Sequence, residues 1–309
     1  MNRIVIGTRG SDLALWQAEF VRRSLEAEFT DIEFEIKIIR TTGDDVLDVS
    51  LSKIGDKGLF TRQIEAELLA GDIDVAVHSL KDLQTEQPEG LTIGAVCKRE
   101  LPNDVLISRD GTTLDELPQG AKVATGSLRR RSQLLAYRQD LQIHDIRGNL
   151  NTRFRKFDDS DLDAMVLAYA GVERLGMSER ISQLIPIDVL VPAVGQGSVA
   201  VEIRSGDTDV EQVVSKLDDA DTRACVMAER ALLRRLEGGC QVPIGGYATI
   251  EDETLTLDAI VGSLDGKTIY RETRSGQASE PVQLGEYVAQ ALLDQGADSV
   301  LNESRAAAN

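Results

Sequence analysis

The sequence predicts an α/β protein: two α/β domains followed by a smaller C-terminal α+β domain. Three observations point to domains of this make-up. Short apolar runs alternate with helix-period segments through the first hundred residues, the same rhythm restarts after Pro102, and from about residue 245 strand-like runs follow one another directly. A length of 309 residues fits two or three domains, and 42% hydrophobic residues is enough to fill their cores.

Taken in order, residues 3–7 (RIVIG) read as a buried strand. Residues 12–29 then place Leu13, Trp16, Phe20, Val21, Leu25 and Phe29 on one helical stripe. Residues 32–38 alternate apolar and polar as a half-buried strand does, 61–70 read as a helix, and 73–78 (IDVAVH) as the next strand. Residues 41–58 are rich in Gly, Asp and Ser, fit neither period and are long for a connection, which marks a mobile or functional loop, with an inert surface excursion as the alternative. Beyond Pro102, strands are expected at 104–107, 121–125, 142–146 and 163–168, with helices at 127–138, 149–157 and 169–175. Residues 198–203 (SVAVEI) read as a strand that returns to the first sheet, followed by helices at 208–217 and 221–236. The last part holds strands at 245–251, 254–262 and 267–274, with Asp265-Gly266 as a tight hairpin turn, then a helix at 280–294 and a short final strand. The expected domains are therefore 1–98 plus 197–217, 102–192, and 219–309.

Charge narrows the function. A net charge of −18 repels phosphate backbones and anionic lipid, so neither nucleic acid nor membrane is an expected partner. No apolar run approaches the roughly 20 residues of a membrane span, and the N-terminus lacks a signal peptide's apolar core, so a soluble, cytoplasmic protein is expected; a monomer is the separate expectation for its assembly. Cys97, Cys225 and Cys240 have no CxxC spacing and only two histidines are present, so no metal site or disulfide framework is expected. Within this acidic chain, residues 122–156 hold nine basic residues against Asp140 and Asp145. A solvated helix face is the plain reading of such a run, and a local anion site the functional one.

Five polar clusters sit where strands should end, the edge at which open α/β sheets bind ligands. GTRGS (7–11) offers Arg9 and Ser11 ahead of a helix N-terminus, though such turns are often purely structural and this one is neither a Walker loop nor a dinucleotide fingerprint. HSLKD (78–82) offers Ser79 and Lys81 to an anion and Asp82 for proton transfer or for stabilising a developing cation; a plain Lys–Asp surface pair is the alternative. ATGSLRRR (124–131) adds Thr125, Ser127, Arg129 and Arg130, and because adjacent arginines do not share a helix face, two of its three arginines are expected at one site. RGNLNTR (147–153) adds Arg147, Gly148 and Arg153, whose guanidiniums match carboxylates in bidentate fashion. LEGGCQVPIGGY (236–247) presents Cys240 on a glycine loop, whereas Cys97 and Cys225 read as core residues.

Together with KGLFTRQIE (57–65) and PAVGQG (192–197), these clusters resemble the porphobilinogen deaminase (hydroxymethylbilane synthase) family, in family order over essentially the whole chain. The resemblance implies the two periplasmic-binding-protein-like domains and a third that carries the cofactor. It implies a transferase of porphyrin and haem biosynthesis that condenses four porphobilinogens head to tail with loss of ammonia and releases hydroxymethylbilane. It also implies a dipyrromethane primer in thioether linkage to Cys240 and a catalytic carboxylate at Asp82. Primer contacts fall on Lys81, Asp82, Thr125, Ser127, Arg129, Arg130, Arg147 and Gly148. Substrate contacts fall on Arg9, Ser11, Ser79, Phe60, Arg147, Arg153, Arg174 and Gln196, and Lys53 and Lys57 belong to the mobile loop. The chain departs from the family at Gly126, where some members have serine, at Gln84, in place of a common proline, and at Asp56, in place of a small residue. Two other classes compete on residues alone. A small-anion binding module suits an arginine-lined cleft but needs no Cys240 loop, and a nucleic-acid binder is opposed by 4% aromatics and by the global charge.

Overall fold

The computed structural model describes residues 2–41, 61–237 and 242–308. These divide into two compact units, one of residues 2–41, 61–100 and 198–223, the other of 101–197, 224–237 and 242–308. In the first unit β1 (Arg3–Thr8) pairs in parallel with β2 (Glu33–Ile38) and β3 (Val75–Ser79). The strand β10 (Val199–Arg204) then lies antiparallel between β3 and β4 (Leu91–Val96), giving the order β2-β1-β3-β10-β4. The SVAVEI segment thus returns to the first sheet, as its apolar run predicts.

Two helices cover this sheet. From α1 (Asp12–Glu28), Ala18, Val21 and Leu25 pack with Ile4, Ile6, Val75, Val77 and Val201. From α2 (Arg62–Ala70), Ile64 and Leu68 pack with Ile39, Ile73 and Ala76. Both faces are covered at the centre of the sheet, which explains why β1 and β3 read as near-continuous apolar runs, while β2 at the edge alternates buried Phe34 with exposed Glu33 and Glu35. The stripe predicted on α1 is corrected at two positions. Trp16 and Phe20 are each 38% exposed and stack on one another, and the buried face turns instead through Gln17, Ala18, Val21 and Leu25.

The second unit repeats the plan. Its strands are β5 (Asp104–Ser108), β6 (Lys122–Ala124), β7 (Gln142–His144), β8 (Ala164–Ala168) and β9 (Gln183–Leu184), in the order β7-β6-β8-β5-β9. β6 is parallel to β7 and β8, and β5 is antiparallel to both its neighbours. Alternation along β5 and β8 feeds two cores. Leu106 and Val166 join Leu134 of α3 (Leu128–Tyr137), while Val105, Ile107, Met165 and Leu167 join Phe154 and Phe157 of α4 (Leu150–Asp158). The antiparallel strand of each sheet, β5 or β10, is the one formed just after the chain enters that unit.

The same unit holds the antiparallel sheet β11 (Ile244–Glu251), β12 (Thr254–Gly262) and β13 (Ile269–Gln277). After α4 the chain forms α5 (Tyr169–Arg174), α6 (Thr208–Val214), α7 (Ala220–Arg235), α8 (Pro281–Asp294) and α9 (Ala297–Ala308); α8 and α9, with residues 225–236 around the end of α7, close the core of this sheet. Two expectations are corrected here. The final segment is helix α9, because its apolar residues recur at Ala297, Val300 and Leu301 on one face and its remaining alanines favour helix. The β12–β13 connection is a six-residue loop, 263–268, closed by the Ser263 amide donating to the Thr268 carbonyl (2.8 Å) and the Thr268 amide donating to Ser263 Oγ (3.0 Å), not a two-residue turn; Asp265 instead accepts from Ser263 Oγ (2.6 Å) and from the Lys267 amide (3.1 Å). Cys97 and Cys225 are buried free thiols, and among the described residues no helix is long and apolar enough to cross a membrane.

Gly285 marks the closest approach of α8 to its neighbour. A Cβ there would meet the Ala228 carbonyl and the Ala231 side chain. Gly285→Ala should therefore lower stability by about 1–3 kcal/mol despite alanine's better helix propensity, measurable by urea unfolding. A more stable variant would show that the helices are free to move apart.

Candidate active site

The functional side chains gather at one kind of place, the carboxyl ends of the parallel strands. In the first unit β1 delivers Arg9 and Ser11, and β3 delivers Ser79, Lys81 and Asp82. Ser11 caps α1, its Oγ accepting from the Ala14 amide at 3.4 Å. Lys81 and Asp82 ride on a single 3-10 turn, Leu80–Asp82, whose first amide donates to the Ser198 carbonyl at 3.0 Å; Asp82 is exposed. Gln17, which sequence reasoning passed over, is buried and holds Ser79: its Nε2 donates to Ser79 Oγ at 2.8 Å, and the hydroxyl returns a bond to Oε1 at 3.2 Å. The available signal was a polar side chain on the inward face of an apolar helix.

Behind Ser79 lies a buried ionisable cluster. His78 Nε2 sits 3.2 Å from Glu202 Oε2, and Glu65 is buried with Oε1 lacking a hydrogen-bond partner. Burial pushes the Glu65 carboxyl above its ordinary range and Glu202 adds to the rise, with Thr61 and His78 opposing.

In the second unit β6 delivers Thr125, Ser127, Arg129 and Arg130. Thr125 Oγ1 accepts from the Ser127 amide at 3.3 Å, and Ser127 Oγ caps α3 by accepting from the Arg130 amide at 3.4 Å. The two arginines that meet are the adjacent ones. Arg129 and Arg130 are both buried and both reach Asp104, at 2.8 and 2.7 Å, while Arg131 turns outward to the Leu264 carbonyl. Burial alone would raise the Asp104 carboxyl, but the two guanidiniums outweigh it and hold it well below the usual range. The basic run is thus partly neutralised by carboxylates from outside it, Asp104 and Asp161, the latter paired with Lys122.

β7 leads to Arg147, 3.4 Å from Asp145, and to Gly148, whose φ of +112° and close Thr152 side chain suit no other residue. Arg153 Nε donates to the Gly148 carbonyl at 2.8 Å. Arg174, at the end of helix Tyr169–Arg174, donates to the Gly197 carbonyl at 2.7 Å, and buried Gln196 donates to Pro102 O at 2.6 Å and Asp104 Oδ1 at 2.9 Å. At Gly126 a Cβ would lie 3.0 Å from the Ile146 carbonyl, so a serine there requires the β6–α3 turn to shift. Cys240, Lys53, Lys57, Phe60, Asp56 and nearly all of the loop at 41–58 lie outside the described residues.

Comparison with known proteins settles the family. Residues 4–212 match the model of the "porphobilinogen deaminase, dipyromethane cofactor binding domain", and residues 223–294 that of the "porphobilinogen deaminase, C-terminal domain". The chain belongs to the porphobilinogen deaminase family. Porphobilinogen deaminases of Chlorobium phaeobacteroides (strain BS1) and Chlorobium chlorochromatii are 53% and 54% identical to it, each over 98% of both chains. That of Pelotomaculum thermopropionicum is 53% identical over 98% of this chain and 97% of its own. Among solved structures, an amino-acid ABC transporter extracellular-binding protein of Bacillus subtilis is similar at 12% identity and a TM-score of 0.43, over 70% of this chain and 89% of that one. Asp82 and all the arginines named above fall within the first matched segment, and Cys240 within the second.

The raised carboxyl at Glu65 gives a pH test. The fold favours the neutral form, so this group's contribution is complete below the ordinary value of 4.5 and is lost as pH rises through its folded value. Glu65→Gln stays neutral throughout, so its melting temperature relative to the parent should climb between about pH 4.5 and 8. A difference that stays flat across that range would show Glu65 to be solvated.

Proposed function

We infer that the chain is a porphobilinogen deaminase, joining four porphobilinogens head to tail with loss of one ammonia each and releasing hydroxymethylbilane by hydrolysis for porphyrin and haem synthesis. The observation that carries this best is 53% identity to porphobilinogen deaminases over 98% of the chain, together with polar side chains at the strand ends of both sheets. The three sheets support a division into 1–98 plus 197–217, 102–192, and 219–309, since each range holds one sheet. The free thiols Cys97 and Cys225 fit a reducing compartment, and we place the enzyme in the cytoplasm.

The donor set fits a dipyrromethane bearing acidic side chains. Arg129 and Arg130 are two buried cations against one buried anion, and hydroxyls and a helix N-terminus stand beside them. When bound through Cys240, the primer supplies the free pyrrole α-carbon to which porphobilinogen is joined. Lys81, Thr125, Ser127, Arg129, Arg130 and Arg147 are the groups proposed to hold its carboxylates, with Arg9, Ser11, Arg153 and Arg174 for the incoming substrate. Each charge-assisted bond contributes about 1.5–3 kcal/mol, so a few of them anchor a chain that gains two carboxylates per round. Asp82 is the proposed catalytic residue. Positive charge develops on pyrrole nitrogen as ammonia leaves and again before the α-proton is lost, and a carboxylate held near those N–H groups lowers both barriers. A binding module without chemistry would need neither the cysteine loop nor the third sheet.

Two measurements test this. Denatured intact mass of the purified protein should show an adduct of two pyrrole units that is missing from Cys240→Ala; bare polypeptide that porphobilinogen does not prime would contradict it. In primed enzyme, Asp82→Asn should cut turnover by about a hundredfold or more. Unchanged turnover would remove Asp82 from the chemistry.

A further inference from the structure

Asp104 belongs to none of the strand-end motifs, yet the second unit's arginines are arranged around it. It opens β5, and its register partner Ala168 is the last residue of β8. That register brings it to the sheet edge where β6 delivers Arg129 and Arg130. Its Oδ1 accepts from Arg130 Nε (3.0 Å), Arg130 Nη2 (2.7 Å) and Gln196 Nε2 (2.9 Å). Arg130 is fixed again by the Val166 carbonyl at 3.0 Å. Arg129 is tied more loosely. Its Nη1 lies 2.8 Å from Asp104 Oδ2 but donates to the Val191 carbonyl at 2.7 Å, and its Nε has no hydrogen-bond partner. All three charged side chains are buried, where charge interactions are weakly screened.

We propose that Asp104 is a positioning residue for the condensation site: it aims Arg129 and Arg130, holds Gln196 beside them, and leaves the cluster one positive charge in excess for a ligand carboxylate. This rests on the functional reading above. A carboxylate here offsets the repulsion between neighbouring guanidiniums and sets the plane of each through a different oxygen. Asparagine would keep an acceptor for Arg130 and Gln196 at Oδ1. At the second position it would turn an N–H₂ toward Arg129, which then loses this carboxylate while the buried excess charge doubles. Arg129 is therefore the residue that Asp104→Asn misplaces, and the ligand it contacts is misplaced with it.

The test is Asp104→Asn in the holoenzyme, with turnover counted per primed molecule by intact mass and thermal stability followed in parallel. The expected result is kcat lower by about tenfold or more with KM for porphobilinogen within about twofold, and effects non-additive with Arg129→Lys in a double-mutant cycle. A carboxylate that merely supports the fold would lower the melting temperature and leave kcat per primed molecule at the parent value, which overturns the proposal. Should Asp104→Asn fail to fold, Asp104→Glu keeps the charge but displaces the carboxylate by one methylene; reduced kcat supports the positioning role and parental kcat overturns it. A parent enzyme that neither carries the adduct nor condenses porphobilinogen counts against the functional reading instead, whatever Asp104 does.

Discussion

The buried contact of Arg129 and Arg130 with Asp104 is the interaction on which the second unit's site depends. Guanidiniums taken out of water are costly, and two of them side by side more so, unless a carboxylate is fixed between them. Asp104 meets that need from β5, which lies beyond β8 from the strand that delivers the arginines, through hydrogen bonds to Arg130 and a close ion pair with Arg129. The arrangement lets a chain of net charge −18 concentrate cationic groups at one sheet edge without spreading them over its surface. Two other basic residues of the same run are placed differently: Lys122 and Arg138 are tied to Asp161 and Asp140 and contribute to structure.

The shared strand plan explains why functional residues from distant parts of the sequence meet at sheet edges. In each unit's five-stranded sheet four strands point their carboxyl ends the same way, and the antiparallel strand starts at that edge. β10 thereby brings the Ser198 carbonyl to the Leu80 amide, and β5 brings Asp104 to the arginines. Loops and helix N-termini at such an edge carry unsatisfied N–H groups, so anion recognition is favoured there before any arginine is added.

Most elements were legible in the sequence because their apolar periods are strong. The central parallel strands β3 and β8 are buried on both faces, and α2, α3 and α4 each follow a strand with a stripe such as Ile64 and Leu68. What failed had weaker local signals. Segment 297–308 has only Val300 and Leu301 as large apolar residues and so shows a weak helical face, and Trp16 and Phe20 share spacing with the core residues of α1 without being covered. The strand-end motifs, GTRGS through RGNLNTR, announced the residues that stand at the sheet edges. Their partners were not readable. Asp104 is readable as the start of a strand but carries no local sign of its arginine partners, Gln17 resembles any helix residue, and the pairing of His78 with Glu202 depends on strand register across 124 positions.

The central claim is that porphobilinogen is added stepwise to a chain held on this polypeptide. Rapid quenching of the primed enzyme with porphobilinogen, followed by denatured intact mass, addresses it most directly. A ladder of one to four added pyrrole units, mapping to the peptide that contains Cys240, is the predicted result. Substrate consumption with no mass increment on the protein would contradict it.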